Sequence, residues 1–261
     1  MLLAVDAGNT HTVLGCVNEE GKVENFLRLE TRPQRTEYEY AETIMHILQL
    51  EKVDTTKFEG VIISSVVPDM TWILAKACKL VTGLEALIVG PGLKTGLDIG
   101  LDDPGTIAAD LVAAAVGAKD KYPLPQIIID MGTATTLTVL NDKGRFLGGA
   151  IVPGVGISLN ALTSGTSLLP KVELTVPKKA IGSNTIDCMK SGNVYGAIGA
   201  MDGLIERFEE ELGKPATVIA TGGLAYRITP YCKHEIILDD DLLLYGLWII
   251  WNKNKKDAHK K

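Results

Sequence analysis

The chain has 261 residues, 46% apolar and 22% charged, enough to bury one large core or two smaller ones, and wholesale disorder is excluded. Its net charge of −6 argues against a nucleic-acid or anionic-membrane partner. Four scattered cysteines, Cys16, Cys78, Cys188 and Cys232, form no CxxC pair, which excludes the usual zinc and disulfide frameworks and favours a reducing compartment.

The opening MLLAVDAGNT lacks a basic region and reaches Asp6 too early for a secretory leader. An apolar strand ends there in Asp6-Ala7-Gly8, and the chain turns through Asn9 and Thr10 into a second strand that leads to the turn Asn18–Lys22. Glu37 to Leu50 sets Ala41, Ile44, Met45 and Leu48 on one helical face. Val61 to Val67 reads as a short buried strand, after which Pro68 and Asp69 open a helix closed by Gly83. A strand at Leu87–Val89 precedes the loop GPGLKTGL. Asp103 and Pro104 read as the cap and first turn of a helix running to Lys119.

Pro123 and Pro125 lead into a second half that opens like the first. IIIDMGTATTLTVLNDKGRF, Ile127 to Phe146, repeats the strand ending in Asp-x-Gly, the returning strand and an Asn-acidic-x-Gly-basic turn. Asp6 and Asp130 are 124 residues apart, nearly half the chain. A long helix about Ser191–Leu212 follows, then a strand at Thr217–Ala220 with Gly222-Gly223 behind it, and a final helix from Leu242. The apolar part of that helix, to Trp251, is about half the roughly twenty residues a membrane span requires. The expected architecture is α/β, with two duplicated lobes of mixed sheet flanked by helices: residues 1–120, residues 121–252, and a basic disordered tail at 253–261. A cytoplasmic chain free of membranes is expected.

A strand that ends in Asp-x-Gly and doubles back offers backbone N–H groups, with side chains such as Asn9, Thr10 and Thr133, to phosphate oxygens. Its aspartate can hold a cation directly or through water. Two such loops in register across a duplication imply a phosphate chain clamped between the lobes. VIATGGLA, Val218 to Ala225, suits a nucleotide lying flat on backbone, and in this order the three elements resemble the phosphate and adenosine motifs of the actin, sugar-kinase and heat-shock-chaperone superfamily, whose lobes are ribonuclease H-like. There is no GxGxxG and no P-loop spacing.

The set DAGNT, SSVVP, GPGLKTGL, DMGTATT, GGAIVPG, GSNT, KSG and ATGG resembles the type III pantothenate kinase family along almost the whole chain. That resemblance implies ATP-dependent phosphorylation of pantothenate, the first step of coenzyme A synthesis, by a homodimer with its acceptor pocket near the subunit interface. It implies ATP binding by Asp6, Ala7, Gly8, Asn9, Thr10, His11, Thr12, Val13 and Thr133. It further implies a potassium or ammonium ion on Asp130, magnesium held through water near Asp6, and pantothenate against residues 108–111 and Thr185. Asp110 is the implied catalytic base, since phosphoryl transfer needs positioning, charge neutralisation and an acceptor for the alcohol proton. The family's pattern there is Gly-x-Asp-Arg, whereas this chain has Ala108-Ala109-Asp110-Leu111. Leucine cannot offer an anionic substrate the charge-assisted hydrogen bonds of arginine, so Lys94 or Lys190 would have to substitute, or the acceptor would differ. A kinase for another small alcohol, a non-catalytic nucleotide-binding regulator and a phosphatase on the same fold are the competing readings.

Gly192, Gly196, Gly199 and Gly203 step along one face of the long helix, and close helix packing, within a lobe or across a dimer, is expected to offset their cost of about 1 kcal/mol each. Trp248 and Trp251 are expected to fill core or interface.

Overall fold

The structure is a computed structural model and describes residues 1–258. Its first segment runs β1 (Leu2–Ala7), β2 (His11–Val17), β3 (Val23–Glu30), α1 (Glu37–Leu50), β4 (Gly60–Ser65), α2 (Pro68–Thr82) and β5 (Ala86–Ile88). There follow β6 (Asp98–Ile99), α3 (Ala109–Lys121), β7 (Gln126–Met131), β8 (Ala134–Leu140), β9 (Arg145–Pro153) and α4 (Val155–Ser164). The chain ends with α5 (Thr185–Leu212), β10 (Thr217–Thr221), α6 (Ala225–Ile228), β11 (Ile237–Leu238) and α7 (Leu242–Ala258). No helix among the described residues is long and apolar enough to cross a membrane.

These elements form two compact units. The first comprises Met1–Leu97, Asp102–Lys121 and the described residues from Asp241, around a sheet of order β3-β2-β1-β4-β5. The apolar run of β1 is explained by burial on both faces. Leu3, Val5 and Ala7, with Leu14, Cys16 and Ile63, meet Ile44 and Leu48 of α1 and Met70 and Leu74 of α2. The alternate residues Leu2, Ala4 and Ile62 meet Val112, Ala113 and Val116 of α3 and Leu244, Leu247 and Ile250 of α7. Asp6 continues that second series, so its side chain lies on the α3–α7 face of the sheet. α1 has the expected bounds, opened by a reciprocal capping box between Thr36 and Glu39, although Met45 on its anticipated face is exposed.

The second unit, Asp98–Leu101 with Tyr122–Asp240, has a sheet of order β11-β10-β7-β8-β9-β6. Ile127, Ile129 and Met131 of β7, Leu137 and Val139 of β8, and Val218 and Ala220 of β10 pack on Val194, Ile198, Met201 and Ile205 of α5. The duplication extends to individual hydrogen bonds. Asn18 N–H donates to Lys22 O and Gly21 N–H to Asn18 O; Asn141 N–H donates to Arg145 O and Gly144 N–H to Asn141 O. The Asn18 Oδ1 accepts from the backbone of Glu20 and Lys22, as the Asn141 Oδ1 does from Lys143 and Arg145. Both turns need a left-handed glycine, Gly21 at φ 84° and Gly144 at φ 70°. Each returning strand breaks register near its end, at Cys16/Val17 and at Val139/Leu140.

Three expectations change. The helix anticipated from Asp103 is two elements: a single 3₁₀ turn at Pro104–Thr106, capped by Asp103 Oδ1, and then α3, separated by the extended backbone of Ile107. The lobe anticipated at 121–252 does not keep α7, which belongs to the first unit. There α3 and α7 touch backbone to backbone: a Cβ on Gly246 would lie 1.8 Å from Ala113 O, and one on Gly117 2.4 Å from Leu242 O. The tail anticipated from 253 is helical as far as Ala258, and Asn254 within it is buried, holding Lys94 N–H at 3.1 Å and Lys94 O at 3.0 Å; the tail's last three residues lie outside the described residues. Trp251 fills core as expected, lying across Gly60, and Trp248 stacks with Tyr245 over Gly21.

Candidate active site

The loop after β1 is shaped by Thr31. Its hydroxyl donates to Gly8 O at 2.7 Å and its N–H to Thr10 O at 2.9 Å, while Gly8 N–H takes His11 O at 3.0 Å. Three carbonyls of the loop are thereby engaged inside the protein. Asn9 and Thr10 are exposed, and Gly8 and His11 half-buried. Ala7 is fully buried in the core and Thr12 is buried with its hydroxyl 3.0 Å from that of Thr31, so neither side chain is open to a ligand. The His11 imidazole has its pKa lowered by burial and then by the Arg28 guanidinium, whose Nη2 lies 2.9 Å from Nδ1, with Glu30 opposing them. A guanidinium can only donate, so Nδ1 accepts from Arg28 and Nε2 is the ring nitrogen that carries hydrogen.

Cross-strand register lines up matching rows beside the two aspartates. In the first unit Ser64 of β4 stands next to Asp6, with Val13 of β2 on the other side and Arg28 of β3 beyond. In the second unit Thr221 of β10 stands next to Asp130, with Thr136 of β8 on the other side and Ile151 of β9 beyond. Ser64 Oγ and Thr136 Oγ1 are buried and make no hydrogen bond among the described residues. A buried hydroxyl in that state costs about 1–3 kcal/mol, a cost that a bound ion or water removes. Gly222, at φ 96°, lies flat on this second row: a Cβ there would stand 2.5 Å from Asp130 Oδ1. Gly132 is exposed, and a Cβ on it would meet Ala134 O only at an ordinary 3.6 Å, so no protein atom demands glycine at that position.

Asp110 sits in the first turn of α3, half-buried like Ala108, Ala109 and Leu111 around it. Burial pushes its pKa above the ordinary carboxylate value, against the opposing effect of backbone N–H groups, of which that of Leu111 donates to Oδ1 at 2.7 Å. The first unit thus brings Asp6 and the helix carrying Asp110 to one face of one sheet. Asp130 and Thr133 belong to the second unit, as does Thr185, the exposed first residue of α5 beside its cap Asn184. Ser64, Thr136 and Thr221 lie within the motifs SSVVP, DMGTATT and ATGG, but sequence reasoning gave them no role; Thr136 was within its reach, because it aligns with Val13 in the repeat. The glycine face of α5 does not pack inside its unit, since a Cβ on Gly192, Gly196, Gly199 or Gly203 would meet nothing within 4 Å. Gly192 and Gly196 instead line a cavity of about 330 Å³ with Met131, Thr135 and Ala200.

This two-unit fold, with mixed sheets flanked by helices, is actin-like. It resembles the solved structure of the activator of the 2-hydroxyisocaproyl-CoA dehydratase from Clostridium difficile with bound ADPNP, at a TM-score of 0.54 and 12% identity, covering 100% of this chain and 98% of that one. The type III pantothenate kinase of Halalkalibacterium halodurans is 41% identical over 254 residues, covering 97% of this chain and 100% of that protein. The type III pantothenate kinase of Bacillus cytotoxicus is 40% identical over 261 residues, 100% of this chain and 99% of that protein. The family description "Type III pantothenate kinase" matches residues 2–207, and with it the hairpins, Asp110, Asp130 and Thr185: the chain belongs to the type III pantothenate kinase family.

Proposed function

We propose that this protein transfers the γ-phosphoryl group of ATP to the terminal hydroxyl of pantothenate, the first step of coenzyme A synthesis. One observation carries the mechanism: a half-buried carboxylate of raised pKa, Asp110, in the first turn of the helix that packs on the sheet face bearing Asp6. Asp110 accepts the alcohol proton as the oxygen attacks phosphorus, and ADP leaves. The loop from Asp6 to Val13 holds ATP phosphates through N–H groups, with Asn9, Thr10 and His11 contributing side chains, and Thr133 is the ATP-binding residue we assign in the second unit. Residues 108–111 and Thr185 hold pantothenate.

No group of three or more His, Cys, Asp or Glu side chains able to hold a metal occurs among the described residues. Single carboxylates next to buried hydroxyls suit instead cations shared with phosphate oxygens and water. Asp6, with Ser64 beside it, would hold magnesium through water, and Asp130 a potassium or ammonium ion. When bound, these cations neutralise phosphate charge.

A second copy of the chain is the partner we infer for the open glycine face of α5, with the exposed Ile157 of α4 in the same unit. Light scattering should then give twice the chain mass of 28.0 kDa, and a monomer at micromolar concentration would refute it. We place the enzyme in the cytoplasm, in keeping with four free thiols. The direct test is ADP release from purified protein with ATP, magnesium, potassium and pantothenate, with phosphopantothenate identified by mass. Absence of product alongside turnover of a different alcohol would reassign the acceptor.

A further inference from the structure

Among the immediate neighbours of the two aspartates the duplicated rows differ in kind at one place, Val13 against Thr136, and that place distinguishes two kinds of cation site. Asp6 has a hydroxyl on one side, Ser64, and the apolar Val13 on the other. Asp130 has hydroxyls on both sides, Thr221 and Thr136. Strand alternation puts all three of these oxygen-bearing side chains on the sheet face opposite Ile127, Ile129, Leu137 and Val218, which point into the α5 core. Side chains directly opposite on neighbouring strands have Cβ atoms about 4.5–5.5 Å apart, so a carboxylate and its two flanking hydroxyls can converge on one ion. Thr136 Oγ1 is buried and makes no hydrogen bond among the described residues, and its lone pairs are therefore not committed to a protein donor. Gly222 closes the carboxylate from one side with backbone, where a Cβ would stand 2.5 Å from Asp130 Oδ1.

We infer that Thr136 is a second protein oxygen for the cation held by Asp130, and that it makes this row a site of direct coordination, whereas the Asp6 row holds its cation through water. The inference rests on the reading of Asp130 as the monovalent-cation residue. A monovalent ion of low charge density loses its water readily and is held by several neutral or singly charged oxygens. Magnesium dehydrates reluctantly and needs fewer protein ligands. Valine at the position equivalent to Thr136 is the internal control, since Thr136→Val gives the second row the side chain that the first row already has.

The test is the thermal midpoint of the full-length protein, titrated with potassium chloride at constant ionic strength in choline chloride, with and without a non-hydrolysable ATP analogue. The parent should be stabilised saturably. Thr136→Val should raise the half-saturating potassium concentration about tenfold or more, the scale expected when a metal site loses a supporting group. Thr136→Ser, which restores the hydroxyl, should return the parent curve, and Asp130→Asn should show no saturable response. Superimposable curves for Thr136→Val and the parent, with Asp130→Asn unresponsive, would overturn the role of Thr136 and leave that of Asp130 standing. A parent indifferent to potassium in both nucleotide conditions, or an Asp130→Asn curve like the parent's, would overturn both. Far-ultraviolet dichroism of each variant shows that it is folded, and a misfolded Thr136→Val is replaced by Thr136→Ala in the same titration.

Discussion

Asp110→Asn is expected to lower kcat for pantothenate phosphorylation by about 10²–10⁴, the usual worth of a positioned general base, with ATP binding retained. Asparagine keeps an oxygen for the Leu111 N–H, which donates to Asp110 Oδ1 at 2.7 Å, so the first turn of α3 should keep its shape. Steady-state kinetics and nucleotide titration by calorimetry separate the two effects; turnover at the parent's rate would remove Asp110 from the mechanism. The raised pKa has two further consequences. In the parent, kcat/KM should climb with pH as Asp110 ionises, with a midpoint above the ordinary aspartate value of about 3.9. Stability runs the other way. The folded state binds this proton more tightly than the unfolded chain, so ionised Asp110 costs stability above its folded pKa. That cost shrinks as pH falls through the folded value and is gone below the unfolded one. Asp110→Asn should therefore melt higher than the parent at neutral pH, with the difference closing in acid. Melting curves across the pH range check the sign.

The contrast between what the sequence disclosed and what it concealed follows the range of the interactions involved. The two Asp-x-Gly hairpins were legible because their determinants are local: alternation within a strand, and turns whose asparagine and glycine hydrogen-bond within five residues. α1 and the start of α2 were legible for the same reason, through the helical spacing of Ala41, Ile44 and Leu48 and through a proline in the first turn. Strand β9 was concealed because Gly148-Gly149 mimics a turn. In the fold Gly148 has φ 121° at the register break, and Gly149 is required by strand contact, its Cβ position falling 1.8 Å from Leu137 O. The allegiance of α7 was concealed because Gly117 and Gly246, which let it seat on α3, are distant in sequence. In the candidate site, the aspartates could be named from their motifs. Their hydroxyl neighbours Ser64 and Thr221 arrive from parallel strands far along the chain, and only the register of the sheet brings them alongside.

Leu111→Arg, which restores the family's residue after the base, is expected to lower KM for pantothenate about ten- to hundredfold with kcat little changed. A hydrogen bond to a charged partner contributes about 1.5–3 kcal/mol, and one made equally in ground and transition states appears in KM alone. The cost to the helix is small, because a cation in a first turn opposes the macrodipole by only about 0.3–1 kcal/mol. Leu111 is half-buried and reaches Asp110 through its backbone N–H, so the substitution leaves that hydrogen bond in place. The same guanidinium would stand beside Asp110 and favour its charged form, moving the acid limb of the kcat/KM profile to lower pH. The two readouts distinguish the acceptor from the base. A lower KM with the shifted limb would mean that pantothenate meets residue 111 and that the parent binds it without this contact. A shifted limb with unchanged KM would mean that the substrate's anionic end is met elsewhere, with Lys94 and Lys190 as the side chains to substitute next. If neither moved, the segment 108–111 would not face the reacting atoms, and the assignment of Asp110 as base would fall with it.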